Sequence, residues 1–208
     1  MKKITDEWLV ADKIKQLSLE KRFDTEKYHF CIHTYEKEEF LVTPNRENSN
    51  ILFLLEGEVK IYHLQKDGTM GTVGIACAGD VLGDFEFCRR EHAYLFAEAI
   101  TKVSCLVLSW VEYEDQLRAD SDFLMFLLHV SIDKMANSAE LVSINSSLED
   151  KLLFYIQNMC VDQTMRNVNS ASMTLHCSRR QLQRLLKRLC ENHILEKTGR
   201  GHYQLIRS

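Results

Sequence analysis

Residues 178–189 read Ser-Arg-Arg-Gln-Leu-Gln-Arg-Leu-Leu-Lys-Arg-Leu, and the rest of the chain is interpreted outward from this stretch. Its spacing predicts a helix with two unlike faces, because four leucines fall on one side at 100° per residue. These are Leu182, Leu185, Leu186 and Leu189. Arg180, Arg184 and Lys187 cluster on the opposite side. The pattern fits a basic helix that binds nucleic acid, but it also fits an amphipathic helix with a solvated basic face.

The beginning of this helix is suited to anions. Ser178, with Gln181 three residues later, has the spacing of an N-cap and capping box. The helix dipole leaves that end partly positive, and Arg179 and Arg180 add full charges to it. A guanidinium fork also matches the O6 and N7 atoms of guanine. The sequence therefore predicts phosphate or base contacts here.

Length and composition are those of an ordinary soluble globular protein. The chain has 208 residues, of which 45% are hydrophobic and 27% are charged. It contains no apolar run of the roughly 18–20 residues that a membrane span needs, and the N-terminus lacks the apolar core of a signal peptide. Seven cysteines without a CxxC pair argue against a disulfide framework and a structural zinc site. We therefore expect a cytoplasmic protein that does not contact a membrane.

Charge divides the chain into an acidic body and a basic end. Residues 166–208 carry nine Lys or Arg against two Asp or Glu, a net charge of +7. Residues 1–165 carry 17 basic against 28 acidic residues, a net charge of −11. This division predicts a nucleic-acid-binding module joined to a part that does not touch nucleic acid.

The first half of the chain has the two-residue period of β-strands. A short amphipathic helix is predicted within residues 6–20, and alternating strands follow it. Six of the eight glycines lie within residues 57–83, and Asp67-Gly68 is a hairpin signal. Many short strands with intervening glycines predict a β-sandwich or barrel. We place this domain at residues 1–110.

Residues 111–144 are predicted to be helical. They contain a seam with a 4-3-4-3-4 spacing, formed by Leu124, Leu128, Ser131, Met135, Ser138 and Val142. We expect a dimerisation helix, because a module that reads palindromic DNA usually needs two copies. A single amphipathic helix packed on the barrel would give a similar pattern. A hinge is expected near Asn145, and Ser146 with Glu149 predicts the start of the next helix.

The last domain, residues 145–208, is predicted to be a winged helix-turn-helix. Its segments are helix 169–175, the turn His176-Cys177, the basic helix 178–189, strand 194–197, turn 198–201 and strand 202–206. In the first helix, Ala171 and Leu175 would face inward, and the small Ser172 would allow a close helix crossing. Arg200, at the tip of the hairpin, is placed to reach a phosphate.

Residues 175–187, together with residues 51–61 and 79–84, resemble the Crp/Fnr superfamily of bacterial transcription regulators. The first stretch is similar to the family's recognition segment, and the other two are similar to its β-roll sensor domain. The resemblance implies an α+β fold in two domains. An N-terminal antiparallel, jelly-roll-like β-roll of the cyclic-nucleotide-binding type would be joined by a long dimerisation helix to a C-terminal winged helix-turn-helix.

The resemblance also implies roles for the basic residues. Arg179 and Arg184 match family positions that contact phosphates or bases, and Arg184 is the best candidate for a bidentate guanine contact. Arg180 lies where many members have a glutamate, so we expect a different base to be read there. Secondary candidates, mostly for phosphates, are Ser178, Gln181, Lys187, Arg188 and Arg200.

The expected effector pocket departs from the members that bind cyclic AMP. Those members have a Gly-Glu pair for the ribose and a later Arg-Ser or Arg-Thr pair for the cyclic phosphate. Here the pairs are Gly83-Asp84 and Ala93-Tyr94, so the cationic partner of the phosphate is absent. The loss removes a charge-assisted hydrogen bond of order 1.5–3 kcal/mol. Regulation by cyclic AMP is not expected, unless Arg89 or Arg90 supplies the cation through a different loop path.

The residues do not identify another cofactor. An iron–sulfur cluster of the family's type is not expected, because Cys31 is the only cysteine near the N-terminus. His29, Cys31 and His33 would share one face of a strand and could ligate zinc or copper. A half-exposed strand face gives the same pattern and no fourth ligand is evident, so no metal site is predicted. Three other thiols fit small core residues better than a thiol sensor: Cys77, Cys88 and Cys105.

We therefore expect a homodimeric, sequence-specific transcription regulator that inserts residues 178–189 into the major groove of a palindromic operator. RNA polymerase is a further candidate partner. An enzyme is not expected, because a cupin-type site needs clustered histidines, whereas His63 and His92 are isolated. The alternative is an effector-binding module whose C-terminal domain contacts a protein partner instead of DNA.

Overall fold

The computed structural model describes residues 1–44, 48–64, 70–89, 95–142 and 147–206. The chain divides into two compact units, Met1–Ile132 and Asp133–Ser208. The predicted hairpin signal, the predicted hinge and one pair of expected pocket residues lie outside the described residues; they are Asp67-Gly68, Asn145, and Ala93 with Tyr94. The domain limits after residues 110 and 144 stay predictions.

The N-terminal unit contains two antiparallel sheets. The strands are β1 (Lys2–Ile4), β2 (Phe30–Tyr35), β3 (Phe40–Val42), β4 (Asn50–Glu56), β5 (Val59–Leu64), β6 (Met70–Ala76), β7 (Val81–Leu82), β8 (Phe96–Ala99) and β9 (Val103–Ser109). One sheet has the order β1-β2-β9-β4-β7 and the other has the order β3-β8-β5-β6. Every recorded pairing is antiparallel, which confirms the jelly-roll-like β-roll.

Strand β4 is apolar on both faces because each face packs into a separate core. Ile51 and Phe53 point into a cluster that includes side chains from the helices of this unit. Leu52 and Leu54 point into a second cluster that contains residues from both sheets. The two-residue period therefore sorts the side chains of one strand into two hydrophobic cores.

Among the described residues, four α-helices belong at least partly to this unit: α1 (Glu7–Gln16), α2 (Asp84–Arg89), α3 (Glu114–Ala119) and α4 (Ser121–Val142). Helix α1 confirms the helix predicted within residues 6–20. The helix predicted across residues 111–144 is interrupted, and its long part begins only at Ser121. The physical reason is Asp120, whose backbone is extended and whose carboxylate accepts hydrogen bonds from the N–H groups of Asp122 and Phe123.

The C-terminal unit has a helix-turn-helix followed by a hairpin. Its remaining elements are α5 (Leu148–Met159), β10 (Thr164–Met165), α6 (Val168–Thr174), α7 (Arg179–Glu191), β11 (Leu195–Gly199) and β12 (His202–Leu205). The three strands form a sheet of order β10-β12-β11. Helix α5 is capped by a box of Ser147 and Asp150, one residue later than the predicted pair of Ser146 and Glu149.

The leucine face of α7 forms the core of this unit. Leu182, Leu186 and Leu189 are fully buried, and they share a cluster with residues of α5, α6 and the hairpin. Ala171 and Leu175 face inward, as predicted. The serine buried on α6 is Ser170, whereas Ser172 is only partly buried and its hydroxyl donates to the carbonyl of Asn169 at 2.8 Å.

Candidate nucleic-acid interface

The beginning of α7 is fixed by its own side chains. Ser178 Oγ accepts a hydrogen bond from the N–H of Gln181 at 3.2 Å. In return, Gln181 Oε1 accepts from the N–H and the hydroxyl of Ser178 at 3.0 and 2.8 Å. The predicted capping box is therefore present in the structure. Gln181, a predicted phosphate contact, uses its amide oxygen within this cap.

A tight turn orients α7 against α6. His176 adopts a left-handed conformation with φ 49°, and the N–H of Cys177 donates to the carbonyl of Ser172 at 3.0 Å. A residue with a Cβ atom costs about 1 kcal/mol in this conformation relative to glycine. The turn was expected from the sequence, but its left-handed histidine was not, because backbone strain leaves no periodic signal.

Three of the predicted DNA-binding residues lie together on the solvent face of α7. Arg180, Arg184 and Lys187 are exposed and lie opposite the buried leucines, and Arg179 is exposed at the beginning of the helix. Lys187 Nζ lies 3.7 Å from Glu191 Oε1, and both side chains are more than half exposed. A pair this exposed is weak and competes poorly with a phosphate. The face therefore combines two arginines and one lysine on a capped helix, with Arg179 at its N-terminal end.

Arg188 lies at the edge of this face and is held by the protein itself. Its Nη2 atom lies 2.5 Å from Oε2 of Glu149, at the beginning of α5. An open groove separates the two helices, and it is lined by Ser147, Leu148, Glu149, Gln181, Arg184, Leu185 and Arg188. Arg184 thus faces the groove as well as solvent, whereas the charge of Arg188 is matched inside the unit.

Two further arginines lie in the turn of the hairpin after α7 and beside it. Arg200 is exposed in the turn between β11 and β12, where Gly201 has φ +82°. Sequence reasoning missed Arg166, which follows β10 and whose carbonyl lies about 4 Å from where a Cβ atom on Gly201 would be. Its guanidinium pairs with Asp162 at 3.6 Å. The signal for Arg166 was only the general excess of basic residues in this quarter of the chain.

The described half of the expected effector pocket lies at the turn from β7 into α2. Gly83 has φ +88°, and a Cβ atom there would lie 2.1 Å from the carbonyl oxygen of Asn50, so only glycine fits. Asp84 and Glu86 are both buried, although Asp and Glu side chains are usually exposed in proteins. Arg89, the alternative cation, is exposed and lies 5.2 Å from the ring of Phe85.

Two of the three residues considered as metal ligands lie in contact with each other, and the third lies beside a different residue. Cys31 Sγ lies 3.5 Å from His33 Nε2, and His33 Nδ1 lies 3.4 Å from the hydroxyl of Tyr35. His29 instead lies beside Tyr113. Burial raises the pKa of the Cys31 thiol and lowers the pKa of His33. Within the part of the chain that the structure describes, no group of three or more His, Cys, Asp or Glu could hold a metal ion.

Helix α4 has apolar side chains on two adjacent faces. Phe123 and Leu127 are buried in the core of the N-terminal unit. Leu124, Leu128 and Met135, from the predicted seam, are 38%, 49% and 73% exposed. Phe123 and Leu127 therefore complete the core of the N-terminal unit, whereas the other face of the helix remains on the surface.

The family comparison matches a segment within the N-terminal unit. A model of the cyclic nucleotide-binding domain family matches residues 32–120. No curated protein sequence matches the chain.

Several solved structures have the same fold as most of the chain. FixK2 from Bradyrhizobium japonicum superposes with a TM-score of 0.69 at 18% identity, covering 85% of this chain and 92% of its own. A CRP-family transcriptional regulator from Thermus thermophilus gives 0.62 at 17% identity, covering 84% and 92%. The c-di-GMP responsive global regulator CLP from Xanthomonas campestris gives 0.59 at 14% identity, covering 86% and 95%.

Residues 32–120 thus match the cyclic nucleotide-binding domain family, and the C-terminal unit contains a helix-turn-helix followed by a hairpin. The chain resembles these proteins in fold, and the similarity confirms the α+β, two-domain fold class. Among the helices that the structure describes, none has the length and apolarity needed to cross a membrane.

Proposed function

We propose that this protein is a homodimeric, sequence-specific DNA-binding transcription regulator of the Crp/Fnr type, and that it is not an enzyme. The observation that carries the proposal is α7, whose leucines are buried and whose Arg180, Arg184 and Lys187 project from one exposed face. A helix of this kind in a helix-turn-helix enters the major groove, where arginine forks read guanine and the wing contacts the backbone.

The exposed face of α4 supports dimerisation. Leu124, Leu128 and Met135 would be costly to leave in water, and a second copy of the same helix offers a matching apolar seam. A two-fold dimer presents two copies of α7, so the operator would be palindromic. A cytoplasmic location and RNA polymerase as a further partner belong to the same proposal.

Regulation by cyclic AMP is not part of the proposal. The residues aligned with the family's phosphate-binding pair are Ala93 and Tyr94, and neither carries the cation that a buried phosphate needs. Gly83 keeps the tight approach to Asn50, but the following acid is the shorter Asp84. An effector of this protein would therefore not have its negative charge neutralised by an arginine at the position that binds the phosphate of cyclic AMP.

The test is to select binding sites from random duplexes and to measure affinity by fluorescence anisotropy as salt is raised. The proposal expects a palindromic consensus and a linear fall of log affinity with log salt, by about 0.9 for each phosphate contacted. The alternative is a module whose C-terminal domain contacts a protein partner. It would be favoured if the selection enriched no DNA sequence and if the chain bound a protein with an affinity independent of salt.

A further inference from the structure

The guanidinium of Arg188 is held by a carboxylate from another helix. Its partner Glu149 is 39 positions earlier in the chain and lies in the first turn of α5. That position suits a carboxylate, because the helix dipole is positive there. The Glu149 side chain is 35% exposed and the Arg188 side chain is 59% exposed. The pair joins the beginning of α5 to the basic helix.

This arrangement sets Arg188 apart from the neighbouring lysine. Lys187 pairs with Glu191 one helical turn further along the same helix, so that pair moves as one body with α7. Arg188 is instead drawn to the side of α7 that borders the groove with α5. Its charge is therefore neutralised by a group that does not belong to the basic helix.

We propose that Glu149 is a positioning residue of the DNA interface, which holds Arg188 and withdraws one cation from phosphate binding. The inference rests on the proposed function of α7 as a DNA-binding helix. Sequence-independent affinity grows with each phosphate that a Lys or Arg neutralises, whereas base contacts provide the discrimination. By holding Arg188, Glu149 lowers the affinity of the protein for DNA of any sequence and leaves the base contacts unchanged.

The decisive variant is Glu149→Gln, which keeps the shape of the side chain and removes its charge. Binding is measured by fluorescence anisotropy on a selected operator and on a scrambled duplex of equal length, between about 50 and 200 mM salt. We expect the slope of log affinity against log salt to steepen by about one unit on both duplexes. An unchanged slope would overturn the inference.

A matched control is Glu191→Gln, which removes the same charge from the exposed end of α7. In a protein that also carries Arg188→Gln, the change in slope caused by Glu149→Gln should disappear. Any change in slope caused by Glu191→Gln should remain in that protein, because Glu191 pairs with Lys187. If Glu149→Gln acts equally in both backgrounds, its carboxylate repels DNA directly and the positioning role is wrong. Wild-type binding that is insensitive to salt on both duplexes would instead overturn the proposed function itself.

Discussion

The hydroxyl of Tyr28 donates a 2.9 Å hydrogen bond to Oδ2 of Asp120, at the residue that separates α3 from α4. The other carboxylate oxygen, Oδ1, accepts from the N–H groups of Asp122 and Phe123 at 3.1 and 3.0 Å. One side chain thus caps the long helix and fastens its beginning to the segment before β2. The start of α4 is set by this carboxylate.

Replacing Asp120 by alanine should destabilise the N-terminal unit. The variant loses the N-cap of α4 and leaves the hydroxyl of Tyr28 without this acceptor, so we expect a loss of about 1–2 kcal/mol in the free energy of unfolding. Urea denaturation followed by circular dichroism measures the change. Asp122→Ala is the control, because its exposed side chain is on the same turn; equal destabilisation by both variants would contradict the capping role.

The same carboxylate should make stability depend on pH. Burial raises the pKa of Asp120, but hydrogen bonds from the Phe123 N–H and the Tyr28 hydroxyl, with the charge of Lys27, outweigh burial and hold the pKa below its usual value. A pKa that is lower in the folded state stabilises the protein above the unfolded pKa, and this contribution is lost as pH falls through the folded pKa.

The comparison that isolates this effect uses Asp120→Asn, which retains capping ability without charge. We expect wild type to be more stable than the variant near neutral pH, and the difference to shrink below about pH 4. Urea denaturation at a series of pH values measures the difference. A difference that is the same in acid and at neutral pH would show that the charge of Asp120 is irrelevant.

The sequence predicted α7 well because everything that defines this helix is local. Its leucines recur at helical spacing, and its cap joins Ser178 to Gln181 three positions away. The β-roll was predicted equally well, because neighbouring residues such as Ile51 and Leu52 alternate between two cores. Short-range patterns thus determined the fold class.

The remaining features depend on contacts between distant parts of the chain. The break at Asp120 was missed because both flanking segments favour helix, and Tyr28 meets Asp120 only in the folded protein. Strand β10 is too short, at two residues, to show a period. The pairing of Arg188 with Glu149 joins two helices, so the sequence alone left Arg188 among the phosphate contacts.

The exposed face of α4 predicts the effect of a charge at its centre. Leu128→Glu should convert the dimer into a monomer, because burying a leucine contributes about 1.5–3 kcal/mol in each copy and a buried carboxylate opposes association. Sedimentation velocity measures the state of association, and affinity for the palindromic operator should fall with it. Val73→Glu changes a similarly exposed residue of β6 and should leave a dimer; a dimeric Leu128→Glu protein would place the interface elsewhere.

Lys187 should contribute to DNA affinity without contributing to sequence preference. Its side chain is 79% exposed and weakly paired, so it can neutralise a phosphate. We expect Lys187→Ala to flatten the dependence of log affinity on log salt by about one unit, equally on operator and scrambled duplexes. Lys37→Ala removes a similarly exposed lysine from the N-terminal unit and should not change the slope. An unchanged slope for Lys187→Ala would remove this residue from the interface.

Arg184 should behave in the opposite way, because a guanidinium fork can bind both O6 and N7 of one guanine. We expect Arg184→Ala to cost about 1–3 kcal/mol on the selected operator and to relax the preference at one base pair of each half-site. Arg184→Lys keeps the charge but loses the fork, so it should preserve the salt dependence while still losing that preference. Affinities for operators substituted at each position in turn measure both effects. Uniform weakening on all sequences would make Arg184 a phosphate anchor, and the base-reading role would then pass to Arg180, its exposed neighbour on the same face of α7.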